Sequence, residues 1–133
     1  MSVKTAEVQL GAENYKTTIQ VNGHEVIADE PEDSGGGDAG PSSTHLLLSS
    51  LGACTAVTMR MYAERKEWNL GDISINMRIE QETKNGTMVS EISSEITFSE
   101  ELDPDQRERM LIIADKCPIH KTLMGEVNIK TKG

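Results

Sequence analysis

The chemistry that this 133-residue sequence can support centres on its two cysteines, Cys54 and Cys117. Cys54 lies in the apolar segment LGACTAVTMR, and Cys117 lies in ADKCPIHKT. A thiol attacks only as its thiolate, which apolar burial disfavours and which a helix N-terminus or a nearby cation favours. Cys54 therefore needs a cation from another segment. Cys117 directly precedes Pro118, so we expect it to cap a new helix whose amide dipoles favour the thiolate.

Several kinds of site stay open on spacing alone. Each cysteine falls on the stripe of its helix that we predict to face the core, so the two thiols could meet as a redox pair or simply pack. A zinc site built from Cys54, Cys117, His45 and His120 would lack the paired C-x-x-C spacing typical of zinc ligands. A Cys–His hydrolase would need a histidine beside Cys54, and the spacing selects none among His24, His45 and His120.

A long apolar helix is predicted to carry Cys54. It opens at Pro41-Ser42 and runs to about Lys66, with apolar residues at helical spacing on more than one face. The stripe predicted to face the core comprises Leu47, Ser50, Leu51, Cys54, Thr58 and Met61. A helix that is apolar nearly all round is expected to be buried on all sides. A single small domain rarely achieves this, so we predict a homodimer whose partner chain covers the remaining face.

The other elements are predicted to be strands and short helices. Asn22-Gly23 and Asn85-Gly86 suit type I′ hairpin turns between strands of period two. Asp103, Pro104 and Gln106 form the signal for a helix start. We predict one α+β domain over residues 1–133, with antiparallel sheets around the long helix. Its parts are strands with an acidic, Gly-rich loop (1–40), the central helix (41–67), a hairpin (71–99), and two helices with a final strand through Val127, Ile129 and Thr131 (103–133).

Composition and charge exclude some classes of partner. The chain carries 13 basic and 22 acidic residues, a net charge of −9, which disfavours binding to nucleic acid or to an anionic membrane surface. The uncharged stretch 46–59 is shorter than the roughly 20 residues of a membrane span, and no secretory signal is seen, so we expect a cytoplasmic protein. The loop DEPEDSGGGDAG at 29–40 lacks G-K-[ST]. We expect it to be a mobile surface loop and not a phosphate site.

The sequence resembles the osmotically inducible protein C family, together with the related organic hydroperoxide resistance proteins. The resemblance rests on two segments, VIADEPEDSGGGDAGPSSTHLLLSSLGACTAVTMRMYAERKEW and IADKCPIHKTL, and covers about the whole chain. The G-A-C-T stretch in the long helix and the later D-K-C-P are specific only in combination. The resemblance implies an intertwined homodimer with the long helices inside and the sheets outside.

The resemblance also implies an activity, namely thiol-dependent reduction of organic hydroperoxides without metal or organic cofactor. Cys54 matches the cysteine that attacks the O–O bond and becomes a sulfenic acid. Cys117 matches the resolving cysteine, which forms a Cys54–Cys117 disulfide that a dithiol reductant reopens. The alternative on the same fold is a non-catalytic protein that senses redox state or binds a small ligand, because fold does not fix function.

Two positions depart from the family pattern. The family places an arginine in the second strand region to stabilise the thiolate, and the matching residue here is Lys16 in NYKTTI. A lysine is a point charge without the planar fork of arginine, and we take Lys16 as the candidate cation. The carboxylate that the family carries before the long helix is matched by His45, which we leave outside the catalytic set because Ser42 as N-cap would make it the N3 residue.

Overall fold

The computed structural model describes residues 2–133. Within them the chain has the predicted α+β fold, with two antiparallel sheets and three α-helices. The chain divides into two compact units, with the boundary between Leu47 and Leu48. The elements are β1 Glu7–Leu10, β2 Thr17–Val21, β3 His24–Ala28, α1 Ser43–Lys66, β4 Ile73–Lys84, β5 Thr87–Phe98, α2 Pro104–Ala114 and α3 Pro118–Met124.

The first unit contains the three-stranded sheet, in the order β1-β2-β3. Its β2–β3 hairpin turns at Asn22-Gly23, where Val21 pairs with His24. Both turn residues have positive φ, 49° for Asn22 and 79° for Gly23, as a type I′ turn requires. The predicted hairpin is therefore confirmed, because glycine and asparagine tolerate this conformation better than other residues do.

The acidic loop after β3 lies at the surface, as expected, since residues 31–35 and 37–39 are exposed, and it folds back on itself. The Asp29 amide donates to the Pro41 carbonyl at 3.1 Å, and the Asp38 amide donates to the Glu30 carbonyl at 3.1 Å. A Cβ atom at Gly36 would lie 2.0 Å from the Glu30 oxygen. Glycine is therefore required at position 36, because a side chain there would block the close approach of the Gly36 and Glu30 backbones.

The second unit contains the two-stranded sheet, in which β4 and β5 pair along their full length from Ile73↔Phe98 to Lys84↔Thr87. Alternate residues of β4 are half-buried from Ile73 to Ile79, whereas residues 80–91 are exposed on both faces. Only the half of the hairpin nearest α1 therefore contributes to the core.

The two sides of α1 differ in burial. Its buried residues recur every four positions and comprise Leu51, Thr55, Met59 and Ala63. Only Leu51 among them belongs to the predicted stripe. The predicted inward face is therefore wrong, because the buried face lies at a different angle around the helix axis. Met59 is fully buried and packs in a core with Leu70 and Met110. In length and composition α1 would also suffice to cross a membrane, a criterion that the core helices of soluble proteins meet too.

The helices of the C-terminal part begin as the sequence predicts. Asp103 caps α2 by accepting from the Gln106 amide at 2.8 Å, and the Gln106 side chain accepts from the Asp103 amide at 3.1 Å, which completes a capping box. The final strand predicted through Val127, Ile129 and Thr131 is wrong for the single chain, because residues 126–133 form no strand. Alternation is not sufficient for a strand, which also needs an edge to pair with.

Candidate functional site

Cys117 lies at the break between α2 and α3, where it is the N-cap of α3. Its backbone is extended, with φ −68° and ψ 146°, and Pro118 occupies the first turn. The Cys117 sulfur accepts a hydrogen bond from the His120 amide at 3.2 Å. The residue is 0% exposed. The predicted capping role is therefore confirmed, and an amide dipole points at the sulfur atom.

Thr55 is the second polar residue that contacts Cys117, across 62 positions of sequence. Its Oγ1 lies 3.6 Å from the Cys117 Sγ and 2.8 Å from the Leu51 carbonyl oxygen one turn earlier in α1. Thr55 is buried. Sequence reasoning missed this residue, because a threonine hydroxyl in a helix often bonds only to the carbonyl four residues earlier and so gives no signal of a distant partner.

Cys54 is the neighbour of Thr55 in the chain. Consecutive Cα atoms are about 3.8 Å apart, so the contact of Thr55 with the Cys117 sulfur brings the two cysteine-bearing segments together. Cys54 itself is half-buried, at the border between the buried and exposed sides of α1. Both cysteines are free thiols. The two segments are thus neighbours in the fold, while the two thiols have different surroundings.

A cavity of about 290 Å³ opens beside the residues that contact Cys117. Its lining combines apolar side chains with polar ones and comprises Leu51, Thr55, Ile92, Ser94, Ile96, Leu111, Ala114, Asp115 and His120. His120 Nδ1 lies 4.0 Å from an Asp115 carboxylate oxygen, so the two form an ion pair when the imidazole is protonated. Because Thr55 and His120 both touch the Cys117 sulfur and both line the cavity, a group in this space lies one side chain away from that sulfur.

Lys16, the candidate cation, belongs to the first unit, where its charge acts on the Asp29 carboxylate. The pKa of Asp29 lies below its usual value, chiefly because the Ala39 amide donates to the carboxylate, while burial opposes this shift. The amides of Glu30 and Gly37 and the charge of Lys16 lower the pKa further. Asp29 therefore holds the acidic loop, and Lys16 contributes to that electrostatic environment.

His45 occupies the position at the start of α1 that its sequence suggests. The His45 amide donates to the Ser42 hydroxyl oxygen at 3.3 Å, and the His45 Nδ1 lies 2.6 Å from the same oxygen. Ser42 is thus the N-cap and His45 the N3 residue, as predicted. Throughout residues 2–133, no group of three or more His, Cys, Asp or Glu side chains is placed to hold a metal ion.

Comparison with known proteins identifies the protein family of this chain. The family model described as OsmC-like protein matches residues 35–132. The chain therefore belongs to the OsmC-like protein family, and the resemblance drawn from its sequence is confirmed. The match includes both cysteines and all of the second unit except its last residue. None of the curated proteins compared with this chain matches it.

Solved structures have the same fold at low sequence identity. A Psychrobacter arcticus protein named for osmotic stress induction and a detoxification response is 23% identical with a TM-score of 0.79, covering 92% of this chain and 89% of its own. The Legionella pneumophila organic hydroperoxide resistance protein OsmC is 18% identical with a TM-score of 0.71, covering 98% and 95%. The organic hydroperoxide resistance protein OhrB of Bacillus subtilis is 15% identical with a TM-score of 0.68, covering 97% and 96%.

Proposed function

We propose that this protein is a thiol-dependent peroxidase that reduces organic hydroperoxides to alcohols, with Cys54 as the attacking and Cys117 as the resolving cysteine. The observation that carries the proposal is the 3.6 Å approach of the Cys117 sulfur to Thr55, the neighbour of Cys54. Two cysteines that are 63 positions apart in sequence are thereby held on adjacent segments of one fold. Solved structures of the same fold bear the name organic hydroperoxide resistance protein.

The reaction needs no metal or organic cofactor. The Cys54 thiolate attacks one oxygen of the hydroperoxide, so that an S–O bond forms, the O–O bond breaks, and the departing alkoxide takes a proton to become an alcohol. Cys54 is then a sulfenic acid. Cys117 attacks its sulfur, and the S–O bond breaks as the S–S bond forms and water leaves. A dithiol reductant, which we expect in the cytoplasm, reopens the disulfide by exchange.

The surroundings of Cys54 favour an organic substrate over hydrogen peroxide. Apolar residues precede and follow it on α1, among them Leu51 and Val57. Each methylene of an alkyl hydroperoxide that is removed from water contributes about 0.8 kcal/mol, and hydrogen peroxide has none. The net charge of −9 further disfavours strongly anionic substrates.

Lys16 is the residue that we propose as the cation for the Cys54 thiolate. The proposal rests on the match between Lys16 and the arginine position of the family, and on the electrostatic interaction of Lys16 with the Asp29 carboxylate. The negative charge of a carboxylate attracts a lysine ammonium group. Asp29 thus supplies, within the first unit, a negative partner for Lys16.

A homodimer is the assembly that we propose for the active protein. Along the side of α1 opposite to its buried residues, Ala53, Val57 and Met61 are exposed, and Met61 is 58% exposed. They recur every four positions, which places them on one face of the helix. The occupant that we propose for this face is the same helix of a second chain. The match of an apolar helical face to its own copy is typical of twofold assemblies.

Intact mass spectrometry tests the peroxidase directly. One equivalent of an organic hydroperoxide is expected to remove two hydrogens from the protein mass, and a dithiol is expected to restore them. Cys117→Ser should instead retain one added oxygen on Cys54, whereas Cys54→Ser, the matched control, should show neither change. If the mass stays constant and both thiols remain titratable, the protein is not a peroxidase.

The second candidate is a redox sensor or ligand-binding protein on the same fold. The presence of Lys16 where the family has an arginine favours it, because a lysine holds a thiolate and a peroxide less firmly than a planar fork does. Repeated additions of hydroperoxide and dithiol separate the two candidates. A peroxidase consumes many equivalents, whereas a sensor is oxidised once and then reduced slowly.

A further inference from the structure

The hydroxyl of Thr55 faces two groups but carries one hydrogen. Its oxygen lies 2.8 Å from the Leu51 carbonyl oxygen and 3.6 Å from the Cys117 sulfur, and both distances suit a hydrogen bond to the respective atom. A hydroxyl donates once and accepts through two lone pairs. Two arrangements of protons are therefore available between the same heavy atoms.

The protonation of Cys117 decides between these arrangements. While Cys117 is a thiol, its S–H group can donate to the Thr55 oxygen as the Thr55 hydroxyl donates to the Leu51 carbonyl. When the sulfur is a thiolate, it can no longer donate, and the Thr55 hydroxyl can turn to donate to it. The carbonyl of Leu51 keeps its place in the hydrogen-bond ladder of α1, so this turn leaves no backbone group without a partner.

A buried thiolate at this position depends on such donors. Cys117 is 0% exposed, so bulk water does not reach its sulfur. The His120 amide donates to the sulfur in either protonation state, since its direction is fixed by the backbone of α3. Among residues 2–133, Thr55 donates to this sulfur from its side chain, and its hydroxyl rotates without displacing a heavy atom.

We propose that Thr55 is a positioning residue for Cys117, whose hydroxyl turns from Leu51 to the sulfur and stabilises the thiolate that closes the disulfide. This proposal rests on the proposed function. In the step concerned, an electron pair of the Cys117 thiolate forms the S–S bond with Cys54, and the S–O bond of the sulfenic acid breaks. The departing hydroxide and the proton given up by Cys117 combine as water, so the thiol and the sulfenic acid yield a disulfide and water.

A purely structural role for Thr55 makes the opposite prediction for two variants. Threonine hydroxyls in helices often bond to the carbonyl four residues earlier without further function. Thr55→Val keeps the shape of the side chain and loses the hydroxyl, whereas Thr55→Ser keeps the hydroxyl and loses a methyl group. Packing would suffer more in the serine variant, and the proposed chemistry would suffer more in the valine variant.

Single-turnover kinetics after one equivalent of an organic hydroperoxide test the proposal. We expect Thr55→Val to close the disulfide about tenfold more slowly, since a hydrogen bond to a charged group contributes roughly this factor or more. Thr55→Ser should stay within about twofold of the parent protein, because it retains the donor. Formation of the sulfenic acid, trapped in a Cys117→Ser background, should be equally fast in both variants.

A second measurement needs no peroxide and separates failure of this proposal from failure of the proposed function. In a Cys54→Ser background Cys117 is the only thiol, and its thiolate is followed by ultraviolet difference absorbance at a fixed alkaline pH. We expect Thr55→Val to lower the thiolate-to-thiol ratio about tenfold and Thr55→Ser to leave it unchanged. If Thr55→Val and Thr55→Ser have the same thiolate-to-thiol ratio at Cys117, the proposed role of Thr55 is wrong. Absence of sulfenic acid in every variant would overturn the peroxidase and leave this measurement intact.

Discussion

The two sides of α1 are both apolar, yet they have different relations to the rest of the chain. One side packs inward through Leu51, Thr55, Met59 and Ala63. The opposite side leaves Val57 and Met61 exposed. The inward side contacts Cys117 through Thr55, and Cys54 lies half-buried at the border between the two sides.

In the proposed homodimer, this difference separates what one chain supplies from what its partner would supply. The surroundings of Cys117 are complete within the chain, since its sulfur is buried and has hydrogen-bond contacts with an amide and a hydroxyl. The surroundings of Cys54 include the exposed side of the helix. If a second chain covers that side, then Cys54 acquires its apolar environment by assembly, whereas Cys117 acquires its environment by folding.

The largest effect is expected from a charge on the exposed side. Met61→Glu would place an unpaired carboxylate in the proposed contact between two helices, which costs about 3 kcal/mol or more. We expect the dimer to dissociate at about a hundredfold higher protein concentration than the parent. Sedimentation velocity over a dilution series measures this.

Met88→Glu is the matched control, because Met88 is 65% exposed and lies at the far end of the hairpin. It should leave the association unchanged. A parent protein that sediments as a monomer throughout, or a Met61→Glu variant that associates as the parent does, would show that both sides of α1 are complete within one chain.

A truncation on the inward side should lower stability instead of association. Met59 is fully buried against Leu70 and Met110, and Met59→Ala is expected to cost about 2–5 kcal/mol of unfolding free energy through lost burial and a cavity. Denaturant titration measures this cost. Met88→Ala, the exposed control, should change the unfolding free energy by less than about 0.5 kcal/mol. Equal losses in the two variants would contradict the assignment of the inward side.

Local signals in the sequence predicted much of this fold. The Asn-Gly pairs fix their turns, and Asp103 fixes the start of α2, because each acts on residues within a few positions. The same holds for Cys117 as a helix cap, which follows from its place before Pro118. These features could be read in advance because their physical causes are short-range.

Features that depend on distant partners could not be read in this way. The periodicity of α1 did not select its inward side, because apolar residues occur all round, and Leu70 and Met110 decide which side is covered. The alternation from Val127 to Thr131 predicted a strand, but residues 126–133 pair with neither sheet. Thr55 escaped notice because its significance lies in a contact with Cys117 across 62 positions.

The cation proposed for Cys54 is expected to have a smaller effect. Lys16→Met should slow oxidation of Cys54 by an organic hydroperoxide about tenfold, since removing a charge next to an anion typically shifts its protonation equilibrium by about this factor. Stopped-flow measurement of the first turnover gives the rate. Lys16→Arg should restore it, and Lys132→Met serves as a control for the loss of one charge. An unchanged rate in Lys16→Met would remove this lysine from the mechanism.

The smallest effect concerns a third direction around α1, towards β4. A Cβ atom at Gly52 would lie 2.6 Å from the Met77 Sδ. Gly52→Ala should gain up to about 1 kcal/mol from helix propensity, but it must also displace the Met77 side chain. The gain should therefore emerge fully only when Met77→Ala is present as well. We expect a favourable coupling of about 1 kcal/mol between the two substitutions in a double-mutant cycle of unfolding free energies.

Met88→Ala in place of Met77→Ala provides the comparison, because Met88 lies on β5 beyond the half of the hairpin that packs on the core. Its effect should simply add to that of Gly52→Ala. Additivity in both cycles would mean that the side chain of Met77 does not limit the approach of β4 to α1. Gly52 would then have no packing role in the helix. The side of α1 towards β4 would be loosely packed, like its exposed side.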